Sequence, residues 1–111
     1  MTKDLTVSML MDFYGQMLTD KRYDALDMYY NQDLSLAEIA EEMGISRQGV
    51  MAFLRQGEKH LRDFEDKLGL ADRFSQISEK TEEMRQCAER ISEPEIKKEI
   101  LQLIQSVSDI I

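Results

Sequence analysis

The chain has 111 residues, a net charge of −8 and a single cysteine, Cys87. This length suits one domain with a core that needs neither disulfides nor metals, and a lone cysteine excludes an internal disulfide and favours the reducing cytoplasm. No apolar stretch is long enough to span a bilayer and no signal peptide is evident, so we expect no membrane association. One proline and five glycines, with 42% hydrophobic residues, predict an all-α fold.

Two helices are predicted in the N-terminal part of the chain. The first runs from about Asp4 to Leu18, because apolar residues recur at intervals of four along a stripe of Leu5, Met9, Phe13 and Met17, with Leu10 and Tyr14 beside it. Thr19 can cap the second helix, and Asp20 in its first turn is favoured by the helix dipole. This helix runs to about residue 30 with three inward residues, Tyr23, Leu26 and Tyr30.

Residues 35–54 have the spacing of a helix-turn-helix. Ser35 and Glu38 stand three residues apart, as a capping box requires. Gly44 can adopt the left-handed conformation of a sharp turn, and Ser46 can cap the next helix. The residues expected to pack the two helices together are Ile39, Ala40, Met43, Ile45, Val50, Phe53 and Leu54.

The second helix of this motif is longer than a minimal helix-turn-helix needs. Its apolar residues continue in steps of three and four to a stop at Gly69, along Val50, Leu54, Gly57, Leu61, Phe64 and Leu68. A helix from Arg47 to Leu68 is about 33 Å long. Only its first turns could enter a DNA groove, so the remainder must pack on other parts of the protein.

The C-terminal part predicts two further amphipathic helices. The first carries a seam of Phe74, Ile77, Thr81, Met84, Ala88 and Ile91. Ser92 is the predicted cap of the last helix, with Pro94 in its first turn and a seam of Ile96, Ile100, Leu103, Val107 and Ile110. We therefore expect a helix-turn-helix domain over residues 1–70 and a helical extension over 71–111. The seams either pack within the chain or form a homodimer interface, and both readings remain open.

The charge distribution favours one surface for a polyanionic partner. Residues 46–68 carry 5 basic and 4 acidic residues, whereas residues 1–45 carry 3 and 9, and residues 69–111 carry 6 and 9. Only the predicted recognition helix is not acidic. If three basic side chains there reach phosphates, the logarithm of the affinity falls with the logarithm of the salt concentration with a slope of roughly −3 per monomer.

The candidate DNA-binding residues lie on the outer face of the second helix of the motif: Ser46, Arg47, Gln48, Met51, Arg55 and Lys59. Arg47 and Gln48 can hydrogen-bond guanine and adenine edges, and Met51 can contact a thymine methyl group. The competing interpretation is that this face is simply solvated and that the helix pair serves only as a scaffold.

No pattern in the sequence indicates catalysis, a cofactor or a metal site. His60 is the only histidine and Cys87 the only cysteine, so the usual ligands of zinc are not clustered. Cys87 is expected to be a small packing residue beside the first C-terminal seam. Adjacent carboxylates such as Glu41 and Glu42 point along different directions of a helix and do not form an acid–base pair. We therefore predict a protein without enzymatic activity.

Two resemblances add to this interpretation. Residues 18–60 resemble the promoter-reading region 4 of bacterial sigma factors, through Leu18-Thr19-Asp20-Lys21-Arg22-Tyr23, Leu34-Ser35-Leu36-Ala37-Glu38-Ile39-Ala40 and Gly44-Ile45-Ser46-Arg47-Gln48. Residues 1–74 resemble the YlxM-like family of helix-turn-helix proteins, through Asp12-Phe13-Tyr14-Gly15, Tyr29-Tyr30, Gly44-Ile45-Ser46-Arg47-Gln48-Gly49-Val50 and Lys67-Leu68-Gly69-Leu70. This chain departs from a strong DNA reader at Gly49, in the first turn of the recognition helix, and at the apolar residues 51–54.

The resemblances imply a DNA-binding regulator. Sigma-like recognition would assign base contacts to Arg47, Gln48 and Met51, and a backbone contact to Arg55. The YlxM-like family is also linked, by gene neighbourhood, to the signal recognition particle pathway. A second hypothesis is therefore an accessory protein that binds signal recognition particle components and uses the helix-turn-helix only as a scaffold.

Overall fold

The structure is a computed structural model that describes residues 5–111, and all regular secondary structure in this range is helical, which confirms the all-α class. The helices are α1 (Leu5–Tyr14), α2 (Asp20–Leu26), α3 (Leu36–Met43), α4 (Arg47–Leu68), α5 (Leu70–Ala88) and α6 (Pro94–Ile110). A 3₁₀ turn, Gly15–Met17, follows α1, and a π-helical turn, Asp27–Asn31, extends α2. The chain divides into two compact units, Met1–Ala71 and Asp72–Ile111.

The long helix α4 is the spine of the first unit. Its buried residues are Val50, Leu54, Gly57 and Leu61, four of the six predicted for its seam. The shorter helices and the π-helical turn supply the rest of the core, through Val7, Leu10, Met11, Tyr14, Ala25, Leu26, Tyr29, Ile39 and Ala40. Phe64 is half-buried, and Leu68, in the last turn of α4, is exposed. The core therefore covers α4 along most of its length but not at its C-terminal end.

Of the apolar residues predicted for the first helix, Leu10 and Tyr14 are buried and Phe13 is half-buried, but the stripe as a whole does not face the core. Met9 and Met17 are 41% and 55% exposed, and the buried residues of this helix are Val7, Leu10, Met11 and Tyr14. A step of four drifts around a helix of 3.6 residues per turn, whereas the observed spacing of three, one and three stays on one face. The α-helix also gives way to a 3₁₀ turn before Met17. Asp4 and the side chain of Leu5 lie outside the described residues.

The second helix begins as predicted, but its inward face changes along its length. Thr19 Oγ1 accepts the Arg22 backbone N–H at 3.4 Å, which confirms the cap. Leu26 is buried as predicted, whereas Tyr23 is exposed and Tyr29 is more deeply buried than Tyr30. The π-helical turn explains the last difference, because its wider turn rotates the residues that follow Leu26.

A glycine lets α2 and α4 approach closely. A Cβ atom at Gly57 would lie 2.6 Å from Leu26 Cδ1, which is closer than atoms can pack. Next to this crossing, the Gln56 side chain accepts hydrogen bonds from Arg22 Nε and Nη2 at 3.3 and 3.2 Å. The helix-propensity cost of glycine within α4 is thus offset by the burial of Leu26.

A buried hydrogen-bond network joins α1 to the junction of α4 and α5. The Tyr14 hydroxyl donates to Glu65 Oε1 at 2.6 Å and accepts the Leu70 backbone N–H at 3.0 Å. Glu65 Oε1 also accepts the Ala71 N–H at 3.0 Å, while Gly69, with φ of 64°, ends α4 in the left-handed conformation. Burial, followed by the bond to Glu65, raises the pKa of Tyr14.

The second unit contains most of α5 and all of α6. Lys97 Nζ lies 3.0 Å from Glu89 Oε2, and Arg85 Nη2 donates to Ser108 Oγ at 3.4 Å, so the chain order of the contacts is reversed and the helices are antiparallel. Its buried side chains are Thr81, Ala88 and Ile104. Most of the other residues of the predicted seams are exposed: Phe74, Ile77, Met84, Ile96, Leu103, Val107 and Ile110.

Two local predictions for this unit are also wrong. The cap of α6 is Glu93 rather than Ser92, and it makes no side-chain cap hydrogen bond, because Pro94 already occupies the first turn and sets where the helix begins. Cys87 is exposed rather than packed in a seam, and its Sγ accepts a hydrogen bond from Arg90 Nη2 at 3.4 Å. Seven apolar residues at helical spacing therefore do not by themselves form a core here.

We predict that Gly57→Ala destabilises the protein. Alanine normally stabilises a helix by about 1 kcal/mol relative to glycine, but here its methyl group would overlap Leu26, and overpacking of this kind costs about 1–3 kcal/mol. Urea unfolding monitored by circular dichroism measures the change. In a Leu26→Val background, which lacks the overlapping Cδ1 atom, Gly57→Ala should lower the free energy of unfolding by a smaller amount. A stabilised Gly57→Ala protein would contradict the close approach.

A second prediction concerns the buried hydroxyl of Tyr14. Tyr14→Phe leaves the Leu70 N–H and the Glu65 carboxylate without this partner, so the free energy of unfolding should fall by about 1–3 kcal/mol. Tyr23→Phe, at an exposed tyrosine, is the matched control and should change stability little.

The effect of Tyr14→Phe should also depend on pH. The pKa of Tyr14 is raised in the folded protein above its ordinary value of 10.0, so the stabilisation by its neutral hydroxyl is complete below pH 10 and is lost as the pH rises further. The difference between the parent protein and Tyr14→Phe should therefore shrink above pH 10, measured by urea unfolding at a series of pH values. If the difference in the free energy of unfolding instead grew with pH, the neutral Tyr14 hydroxyl would not be the group that stabilises this network.

Candidate nucleic-acid interface

The turn between α3 and α4 has the geometry that the sequence predicts. Gly44 has φ of 67° and ψ of 34°, its N–H donates to the Glu41 carbonyl at 3.3 Å, and the Ile45 N–H donates to the Ala40 carbonyl at 3.0 Å. This pair of hydrogen bonds closes the C-terminal end of α3 in a Schellman-type arrangement, which a left-handed residue makes possible. The sharp corner sets the direction in which α4 leaves α3.

Side-chain caps define the start of each helix of the motif. Ser35 Oγ accepts the Glu38 N–H at 3.1 Å, and Glu38 Oε1 accepts the Ser35 N–H at 3.1 Å, so the predicted capping box is present. These bonds lower the pKa of Glu38. Ser46 Oγ accepts the Gly49 N–H at 3.0 Å, which confirms the predicted cap of α4. The position of Arg47 and Gln48 in the first turn of α4 follows from this cap.

The buried side of the motif holds α4 against α3. Ile39 and Val50 are fully buried, and Ala40 and Leu54 nearly so, as the sequence predicts. Partly buried residues close the edges of this contact: Met43, Ile45 and Phe53. Since this side of α4 is occupied by the core, its opposite side is the one that can meet a partner.

The candidate DNA-binding residues lie along that opposite side. Ser46, Arg47, Gln48, Arg55 and Lys59 are exposed, and Met51 is half-buried. Four side chains line a shallow depression on the surface of α4: Gln48, Met51, Ala52 and Arg55. Their spacing of three, one and three residues places them on one helical face, so the structure brings the predicted polar residues together around Met51.

The cations of this face differ in their surroundings. Lys59 Nζ lies 3.9 Å from Asp63 Oδ2, and both side chains are largely exposed, so this ion pair is weak. Within residues 5–111, neither Arg47 nor Arg55 takes part in an ion pair. The carboxylate of Glu58, on the same helix, accepts a hydrogen bond from the Tyr30 hydroxyl. The two guanidinium groups are therefore available to an incoming acceptor.

Two features of this site were not predicted from the sequence. Ala52 belongs to the depression, and its position four residues after Gln48 is the signal that could have placed it there. A Cβ atom at Gly49 would lie 3.3 Å from Ile45 Cδ1 and 3.4 Å from Ser46 Oγ, so this glycine gives Ile45 room at the corner. Glycine at this position lowers the helix propensity of α4, but it lets the turn residue Ile45 pack closely against the start of the helix.

Residues 5–111 show neither a grouped set of metal ligands nor a membrane-spanning helix. No three side chains of the metal-binding types, His, Cys, Asp and Glu, are grouped so that they could hold a metal ion. No helix in the same range combines the length and apolar character needed to cross a membrane.

Comparisons with known proteins agree with the resemblance to YlxM-like proteins. The family model described as "Putative helix-turn-helix protein, YlxM / p13 like" matches residues 1–107. A UPF0122 protein of Thermoanaerobacter sp. (strain X514) is 43% identical over 104 residues, covering 94% of this chain and 89% of that protein. A UPF0122 protein of Clostridium kluyveri (strain ATCC 8527) is 46% identical over 79 residues, or 71% of each chain. One of Halalkalibacterium halodurans is 34% identical over 105 residues, covering 95% and 94%. The chain therefore belongs to the UPF0122 family of YlxM / p13-like helix-turn-helix proteins.

Proposed function

We propose that this protein is a cytoplasmic, non-enzymatic regulator that binds duplex DNA by placing the N-terminal part of α4 in a major groove. The observation that carries the proposal is the row of exposed Gln48 and Arg55 around half-buried Met51, beside Arg47, on the side of α4 that the core leaves uncovered. The capped helix start and the sharp turn at Gly44 support it, because they hold this row in one orientation.

The dimensions of this face suit a major groove. An α-helix with its side chains is about 10–12 Å across, which matches the width of about 12 Å of the B-DNA major groove. Arg47 and Gln48 lie in the first turn, the part of a recognition helix that reaches base edges. The remaining part of α4 packs against the core through Gly57 and Leu61 and supports the reading end.

The side chains of this face divide into two roles. Arg47 is suited to the two acceptors of guanine, Gln48 to adenine, and Met51 to a thymine methyl group. Ser46, Arg55 and Lys59 are suited to phosphates, together with the backbone N–H groups at the start of α4 that have no partner within the helix. Base contacts would then supply specificity, and the phosphate contacts would set the register.

The overall charge limits how tightly one copy can bind. With a net charge of −8, the chain repels the phosphate backbone except near α4. Three phosphate contacts correspond to a salt slope of roughly −3 per monomer, which is modest. Useful affinity at cellular salt concentrations would therefore require base contacts in addition, or two copies on one duplex.

The test is binding to duplex DNA over a salt series, because electrostatic contacts strengthen as salt is lowered. Selection from a pool of random-sequence duplexes provides the probe, and fluorescence anisotropy measures the affinity. We expect Arg47→Ala and Gln48→Ala to weaken binding to the selected duplex by about tenfold or more each, and Arg55→Ala to reduce the magnitude of the salt slope by about one.

Matched controls lie outside the motif. Arg73→Ala and Gln86→Ala remove the same side-chain types from exposed positions of α5 and should leave binding unchanged. Absence of binding by the parent protein at low salt, or equal losses in the control variants, would contradict the proposal.

A second candidate function rests on the acidic N-terminal part, where residues 1–45 carry 9 acidic and 3 basic residues. Such a surface suits a basic protein partner, and the corresponding proposal is an accessory of the signal recognition particle machinery with the helix-turn-helix as scaffold. A pull-down with the particle's GTPase and RNA tests it. This function would be favoured over DNA binding if the protein and its Arg47→Ala variant both retained these components and the protein did not retain duplex DNA.

A further inference from the structure

The second unit leaves most of its large apolar side chains uncovered. Residues 72–111 bury only Thr81, Ala88 and Ile104, of which one is polar and one is an alanine. A segment of about 40 residues seldom has a sufficient core of its own, and segments of this size commonly gain stability through disulfides, metals or association. The exposed apolar residues of this unit therefore form a candidate interaction surface.

These residues form a continuous stripe on α6. Ile96, Leu103, Val107 and Ile110 are spaced by seven, four and three residues, which places them on one side of the helix. Leu103, in the middle, is 62% exposed, and Ile110 is 84% exposed. Beside the stripe, an apolar groove between α5 and α6 is lined by Met84, Cys87, Ala88, Ile91, Ile100 and Ile104. The stripe and the groove thus form one apolar surface, which we call the α6 face.

We propose that the α6 face binds the α6 face of a second copy of this chain, with the two α6 helices antiparallel about a two-fold axis at Leu103. In this arrangement Leu103 meets Leu103 of the second copy, and Ile96 meets Ile110 of the second copy, because both pairs are symmetric about position 103. Three of the four stripe residues therefore meet apolar partners, as the reciprocal contacts of an isologous interface require, whereas Val107 meets Glu99.

The area of the α6 face is sufficient for this purpose. Five large apolar side chains of this face are between 40% and 84% exposed, namely Met84, Ile96, Leu103, Val107 and Ile110. Together they present roughly 600 Å², which approaches the about 800 Å² that each partner contributes to a standard protein interface. A patch of this size stands at the upper end of the largest patches on typical monomers, and such patches often mark interaction sites.

Charge favours the antiparallel over the parallel arrangement. Glu95 and Glu99 flank the stripe in the N-terminal half of α6, whereas Gln102 and Ser106 flank it in the C-terminal half. A parallel pair would place the two glutamates against the same residues of the second copy, and like charges in contact oppose association. An antiparallel pair separates them, because Glu99 then faces Val107 and Glu95 faces Ile111 of the second copy.

The oligomeric state of the full chain tests the proposal. Sedimentation velocity over the micromolar range should show a dimer, and Leu103→Lys should raise the dissociation constant at least tenfold, because it places two ammonium groups at the centre of the interface. Gln105→Lys adds the same charge at an exposed residue on the opposite side of α6 and should leave the dimer intact. Circular dichroism should show unchanged helix content in both variants. A monomeric parent protein, or equal effects of the two variants, would overturn the proposal.

Disulfide trapping tests the orientation of the helices. In a Cys87→Ala background, Leu103→Cys should form a disulfide-linked dimer on mild oxidation, because the two positions meet at the axis. Ile96→Cys and Ile110→Cys should each form no disulfide cross-link alone but should cross-link with one another when mixed. Cross-linking of Ile96→Cys with itself would indicate a parallel pair and overturn the antiparallel assignment. None of these outcomes depends on DNA binding, so the two proposals can fail separately.

Discussion

Burial of one side of α4 is the constraint on which the first unit depends. Val50, Leu54, Gly57 and Leu61 face the core, and α1, α2 and α3 all contribute to the same cluster. This helix is therefore held over several turns rather than only at the helix-turn-helix. Because a buried face cannot rotate without losing its contacts, the outer face with Arg47, Gln48 and Arg55 keeps one direction relative to α3.

Polar contacts supplement this packing at both ends of the helix. At its start, Ser46 satisfies the Gly49 N–H. Near its end, the fully buried Tyr14 donates a hydrogen bond to Glu65 and accepts one from the Leu70 N–H. In between, Tyr30 donates to Glu58. Such bonds contribute about 1 kcal/mol each when complete but cost more when half of the pair is removed, so they specify one alignment of the helices in addition to stabilising it.

The two units differ in how their apolar residues are used. In the first unit the large apolar side chains meet residues distant in the sequence, and a core results. In the second, two antiparallel helices have the same kind of seams, yet most of the seam stays exposed, with Leu103 and Ile110 as the extreme cases. One pair of helices cannot cover the apolar faces of both, because each presents only one side to the other. The proposed dimer and the proposed DNA contact thus involve different surfaces, α6 and α4.

The sequence by itself determined the features that depend on neighbouring residues. The all-α class, the capping box at Ser35, the left-handed turn at Gly44 and the full extent of α4 were predicted, because caps and turns act within four residues of each other. Only the tertiary structure decided that α1 turns Met11 rather than Met9 inward, that Gly57 admits Leu26, and that Tyr14 reaches Glu65, 51 residues away. Those choices depend on which helix faces which, and helical spacing gives the same pattern for a seam that finds a partner and one that does not.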